Sequence, residues 1–315
     1  MRSDLLFALP AFFLGLLLGS FLNVCISRLP LHLSIATPRS RCPHCRTPIR
    51  PYDNIPLVSW ILLRGRCRDC KQPISWRYPA VELVTGLWFG LVALRLAHLL
   101  HASADLSASL AIPDATLSTI AHLAAAILGF LLIGLIVMDW QTQRLPDAFT
   151  LTGIALGLFL ICTQAIFLAP NEADITLSSQ HQLRMSSPGS MADQGNMFLT
   201  GPEHLIFGRL FAVAAIAALL LSIRGAYKAL RHREGLGLGD VKMLAMVAAF
   251  LGFWPAILTL FLGTLLASLY ALPLVLRHRA NAVTKIPFGS FLGAAGLVVT
   301  MVGDPILNWY IHLLG

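Results

Sequence analysis

The chain has 315 residues, of which 57% are hydrophobic and only 12% charged, with a mean hydropathy of +0.74. That balance excludes an ordinary soluble domain, in which about a quarter of the residues carry charge. The net charge of +8 would suggest nucleic acid in a soluble protein, but the cations are arranged for a membrane and no nucleic-acid partner is expected.

Eight apolar runs, at roughly 5–26, 80–101, 117–138, 149–168, 204–223, 241–254, 256–275 and 288–312, predict an all-α, polytopic membrane helix bundle. A hydrocarbon core about 30 Å thick needs roughly 20 such residues per helix. The first run, Leu5–Ile26, lacks a small-residue cleavage site before a soluble domain, so residues 1–30 read as a retained helix. The sixth run is short and only Pro255 parts it from the seventh, which predicts a tight hairpin or a partly re-entrant segment. Of the 23 Lys and Arg residues, 10 lie between Arg28 and Arg77, five between Arg224 and Lys242, and three between Arg277 and Lys285. Alternating the spans from a periplasmic N-terminus puts all of these loops, and Arg144, on the cytoplasmic side of a bacterial inner membrane. A cationic face of this kind suits anionic lipid headgroups. Residues 80–315 form the remainder of the bundle, interrupted over 170–203 by a polar stretch expected to be a flexible periplasmic loop. No internal repeat is apparent.

Residues 31–79 are polar, basic and Pro-rich, and hold Cys42-Pro-His-Cys45 and Cys67-Arg-Asp-Cys70. Four thiolates in two such pairs are the number a closed tetrahedral zinc site needs. So small a module buries little apolar surface, and a metal would supply much of its folding energy. Two disulfides fit poorly with a cytoplasmic location, and a redox motif would need only one pair. Cys25 and Cys162 fall inside apolar runs and read as small core residues.

Four acids lie at a predicted membrane edge: Glu82, Asp139, Asp147 and Asp240. Ionisable groups at that depth are functional suspects by default, although a residue at a helix end can simply cap it. Asp139 ends the third run in MDWQTQRLPD, and Asp240 follows the GLGLG stretch at the start of the sixth. Both fall at the same membrane edge on different helices, where two close carboxylates can share a proton and activate water. Asp147 suits a helix start, and Lys242 could reach lipid phosphate. Glu82 needs a partner, for which Arg77 or Lys242 is available, or else contributes to a cofactor site. Asn23 is expected to bridge helices.

Taken in order, GSFLNVCISRLP (Gly19–Pro30), the paired CxxC motifs, RYPAVELVTG (Arg77–Gly86), Asp139 with Leu145-Pro146-Asp147, GLGDVK (Gly237–Lys242) and KIPFGSFL (Lys285–Leu292) resemble the type IV prepilin peptidases of the GxGD aspartyl protease group. The resemblance covers nearly the whole chain. It implies that Asp139 and Asp240 are the catalytic pair and that Cys42, Cys45, Cys67 and Cys70 bind zinc. It also implies removal of a basic leader from prepilin or pseudopilin precursors, then N-methylation of the new N-terminal residue from S-adenosylmethionine. Ser290 stands where that family more often has Pro. The alternative from a different class is an ion-coupled transporter with a structural zinc loop, although acids gathered at one edge are a poor transport path.

Overall fold

The computed structural model describes residues 2–104, 111–178, 203–232, 235–277 and 286–314. Among the described residues nine α-helices run in chain order: α1 (Arg2–Arg28), the short α2 (Val58–Leu62), α3 (Arg77–Ala104), α4 (Ala111–Thr142), α5 (Asp147–Ser178), α6 (Glu203–Arg231), α7 (Leu238–Leu251), α8 (Phe253–Leu276) and α9 (Phe288–Leu314). Each of the eight apolar runs therefore holds a helix. Helix α5 continues to Ser178, past Pro170, so the first part of the expected 170–203 loop is helical; residues 179–202 lie outside the described residues, as does Lys285.

Among the described residues six helices are long and apolar enough to cross a membrane, and α9 adds an apolar stretch over Phe288–Gly303. Their outer faces expose large apolar side chains, among them Leu17, Phe159, Phe211 and Phe261. Such a belt is untenable in water and natural against lipid. The chain is a multi-pass membrane protein.

Helix α7 departs from this pattern. At 14 residues it is about 21 Å long, too short to span. From Met243 through Ala249 its side chains are almost wholly buried, because the run is apolar on every face and other helices surround it. The break that follows lies at Gly252 and not at Pro255. Gly252 has φ 98°, a backbone open to glycine and strained for other residues, whereas Pro255 falls in the first turn of α8. There its missing N–H would have had no helical partner.

Helices α1 and α3 pack closest through small residues. Gly15 and Gly19 on α1 meet Gly86 and Glu82 on α3: a Cβ at Gly15 would lie 2.7 Å from the Thr85 carbonyl oxygen, and one at Gly19 would lie 2.7 Å from Glu82 Cα. Gly15/Gly19 and Gly86/Gly90 each have the four-residue spacing that lets membrane helices touch backbone to backbone. Asn23 does bridge helices, its Nδ2 donating to the Tyr78 carbonyl at 3.0 Å.

The cysteine module between α1 and α3 contains a short repeat, Arg-Cys-x-x-Cys-x-x-Pro-Ile. Arg41-Cys42-Pro-His-Cys45-Arg46-Thr-Pro48-Ile49 and Arg66-Cys67-Arg-Asp-Cys70-Lys71-Gln-Pro73-Ile74 adopt the same hairpin. Arg41 bridges Pro48 as Arg66 bridges Pro73. The Cys42 and Cys67 N–H groups donate to Thr47 and Gln72, and Arg46 and Lys71 turn the chain at φ 58° and 57°. The expectation of no internal repeat is corrected here: the hairpins share their hydrogen bonds while their turn residues differ.

Candidate active site and cysteine cluster

Asp139 lies near the end of α4 and is only 5% exposed. Its Oδ2 accepts the Ser290 N–H at 2.7 Å, and the Ser290 hydroxyl stands 3.1 Å from the same oxygen and 2.9 Å from the Ile136 carbonyl. Ser290 belongs to the first turn of α9, whose N–H groups lack helical acceptors. Asp139 thus supplies from α4 the acceptor that α9 needs. Gly289 makes the approach possible, since a Cβ there would lie 3.1 Å from Asp139 Cγ.

Asp240 occupies the first turn of α7, whose N-cap is Gly237. Its carboxylate turns back toward Gly237, as that of a residue three places into a helix can. Gly237 has φ −71°, so glycine is needed here for room and not for conformation: a Cβ would lie 3.0 Å from Asp240 Oδ2. Each aspartate is therefore held by the positive end of a helix, α9 for Asp139 and α7 for Asp240. They are close enough for the Asp139 charge to act on Asp240. Leu145 bridges the two sites, lying against both Gly239 and Gly289. Beside Asp139, Trp140 packs edge-on to Tyr270 and Phe291 at centroid distances of 5.9 and 6.4 Å.

Asp147 starts α5 as expected, and its partner is Lys242, whose Nζ lies 2.6 Å from Asp147 Oδ1. Lys242 is thus engaged by Asp147. Glu82 is paired with neither Arg77 nor Lys242. Its Oε2 accepts the Leu57 N–H at 2.8 Å, and the Ser20 hydroxyl donates to the same carboxylate. Leu57 presents that N–H from a tight γ-turn, with φ 58° and the Val58 N–H donating to the Pro56 carbonyl. No sequence signal reveals a backbone donor of this kind. Glu82 forms part of the wall of a cavity of about 600 Å³ between α1, the module and α3.

The four module sulfurs converge. All lie within 4.8 Å of one another, with Cys42 Sγ 3.8 Å from Cys70 Sγ and Cys45 Sγ 4.0 Å from Cys67 Sγ. Bonds of about 2.3 Å to a tetrahedral zinc put sulfurs roughly 3.8 Å apart, so the residues fit the ion, whereas a disulfide needs about 2 Å. His44 is not in the cluster. Thiol acidity points the same way. The Thr47 hydroxyl and N–H pull Cys45 down to about 6. Cys70, despite a Gln72 backbone hydrogen bond favouring its thiolate, is pushed up to about 11 by desolvation and the neighbouring sulfurs. Four thiolates this close need a cation among them.

Residues 13–96 match the bacterial peptidase A24 N-terminal domain, and residues 195–272, which include Asp240, match the type IV leader peptidase family. The prepilin leader peptidase/N-methyltransferase of Aeromonas hydrophila is 33% identical over 95% of this chain and 92% of its own length. That of Neisseria gonorrhoeae is 32% identical over 97% of this chain and 95% of its own. The type 4 prepilin-like proteins leader peptide-processing enzyme of Escherichia coli is 34% identical over 90% of this chain and 89% of its own. No solved structure matches the chain.

Proposed function

The chain belongs to the type IV leader peptidase family, and from that premise we propose that it is a membrane aspartyl endopeptidase that removes the basic leader from prepilins or pseudopilins and N-methylates the residue exposed. Relatives named for both activities support this reading, and none of those described above is named for transport. The observation that carries the peptidase half is the pair Asp139 and Asp240, from helices distant in sequence, each seated on the first turn of a helix at one end of the bundle. One carboxylate takes a proton from the attacking water while the other polarises the scissile carbonyl and delivers a proton to the leaving amine. The N–H dipoles behind them are already oriented and need not reorganise as charge develops.

Cys42, Cys45, Cys67 and Cys70 would hold one zinc ion, whose part is to order the module. S-adenosylmethionine supplies an electrophilic methyl group when bound, and the cavity beneath the module has room for it. Functionally the chain divides into the first helix (1–30), the zinc module (31–79) and the catalytic bundle (80–315, with its 170–203 segment on the far side). The basic loops at the aspartate end turn that end to the cytoplasm of the inner membrane, where anionic headgroups meet them.

The test is cleavage of a purified prepilin by the protein and by its Asp139→Asn and Asp240→Asn variants, with labelled S-adenosylmethionine present. Each variant is expected to lose at least about 100-fold in cleavage while still methylating a pre-cut substrate. Normal cleavage by both variants would sink the aspartate mechanism.

A further inference from the structure

We infer that Glu82 is the carboxylate that receives the new N-terminal amine for methylation, at the floor of the cavity between α1, α3 and the cysteine module. The inference rests on the methyltransferase half of the function proposed above.

Three observations lead there. Glu82 is 9% exposed, yet the groups acting on its carboxylate are the Leu57 N–H and Ser20, with no Lys or Arg among them. A carboxylate has about four acceptor positions, so two fixed donors leave it able to take more. A buried anion without a counter-cation is expensive, and an ammonium group would offset that cost. The position is also built: Gly19 lets α1 lie against Glu82 Cα, and the strained turn at Leu57 aims an N–H at Oε2. Finally, a side cavity of about 140 Å³ shares Asn23, Ser27 and Tyr78 with the main one. It reaches Val137 and Gln141 on α4, the helix that carries Asp139. Adjoining cavities therefore link Glu82 with that helix, past Asn23 and Tyr78.

The chemistry needs such a group. An α-amine has a pKa near 8, so it is mostly protonated at neutral pH and cannot attack as it stands. Glu82 first holds the ammonium by charge and then takes a proton from it. The amine nitrogen gains the methyl group and loses one proton overall, while the donor sulfur keeps the electron pair of the broken S–C bond.

The experiment compares the full-length protein with Glu82→Gln and Glu82→Asp in three measurements: prepilin cleavage, methylation of a pre-cut peptide, and equilibrium binding of S-adenosylhomocysteine. Gln keeps an oxygen for the Leu57 N–H but has no charge. Glu82→Gln is expected to cleave within about twofold of wild type and to bind S-adenosylhomocysteine equally well, with methylation down by about 100-fold. Glu82→Asp is expected to keep part of the methylation, with a raised KM for the peptide. Unchanged methylation by Glu82→Gln overturns the inference. So does a parallel loss of S-adenosylhomocysteine binding, which would make Glu82 a ligand of the donor. If Glu82→Gln also loses cleavage, Glu82→Asp decides: partial methylation with a raised peptide KM supports the inference, and full methylation at an unchanged KM refutes it. A wild-type protein that cleaves but never methylates a pre-cut peptide removes the methyltransferase reading itself.

Discussion

In the bundle, α1 and α3 close on each other through Gly15, Gly19, Gly86 and Gly90, and Asp139 and Asp240 are fixed by the helix ends they serve. In the module, two short hairpins bring four sulfurs together with little core around them, only Cys42, Pro56, Ser59, Gly65 and Cys67 being buried among residues 40–76. The first region is positioned by van der Waals fit and hydrogen bonds, and the second by a sulfur cluster of the size that fits a zinc ion. They meet at Glu82, which α1 touches from one side and Leu57 from the other. Two regions held by different forces should fail separately, and that separation can be attacked experimentally.

The largest effect expected is from metal removal. Chelation, or Cys42→Ser with Cys67→Ser, should release the proposed zinc ion, abolish methylation and leave cleavage within a few-fold, since neither of the proposed catalytic aspartates lies in the module. Zinc measured by plasma emission alongside both activities checks this, and equal loss of the two activities would show that the regions are one cooperative unit. Next comes the seam. Gly19→Leu should force α1 from α3 beside Glu82, lowering methylation by at least about tenfold and cleavage much less, because overpacking of a tight site costs about 1–3 kcal/mol. Both rates measured on one preparation would test it, and a larger loss of cleavage than of methylation would contradict it. Within the bundle, Ser290→Ala keeps the N–H to Asp139, and Ser290→Pro removes it but installs the residue the family more often has there, so both variants should cleave within about threefold of wild type. A tenfold or larger loss in Ser290→Pro alone would mean that this chain depends on the N–H. Smallest is the partly exposed Lys242–Asp147 pair, for which Lys242→Met should change thermal stability by no more than about 1 kcal/mol and cleavage by less than about threefold. A collapse of cleavage in that variant would instead make the pair a determinant of the Asp240 geometry.

Much of the bundle was legible in the sequence because lipid imposes a simple code: every apolar run became a helix, and the acids at predicted edges came to one end. Asp139, Asp240 and the four cysteines were legible for a similar reason, since carboxylates in apolar surroundings and paired CxxC motifs stand out by chemical type. What escaped is what backbone groups do. The Leu57 N–H that meets Glu82, the Ser290 N–H that meets Asp139 and the Gly252 joint between α7 and α8 carry no side-chain signature. The hairpin repeat was there to be read, since Arg, Cys, Cys, Pro and Ile recur at the same places in residues 41–49 and 66–74, and only the left-handed turns at Arg46 and Lys71, where glycine is absent, gave no signal. The glycine spacing on α1 and α3 was visible but became meaningful only once the two helices were seen to face each other.

Anchoring on the first turns of α9 and α7 has a practical consequence for anyone wishing to catch the substrate in place. An asparagine at 139 can turn its amide oxygen to the waiting Ser290 N–H and keep the helix seated. On the function proposed above, such a variant keeps its architecture and cannot pass a proton. It is in effect a molecular trap, suited to holding an uncut precursor long enough to be seen.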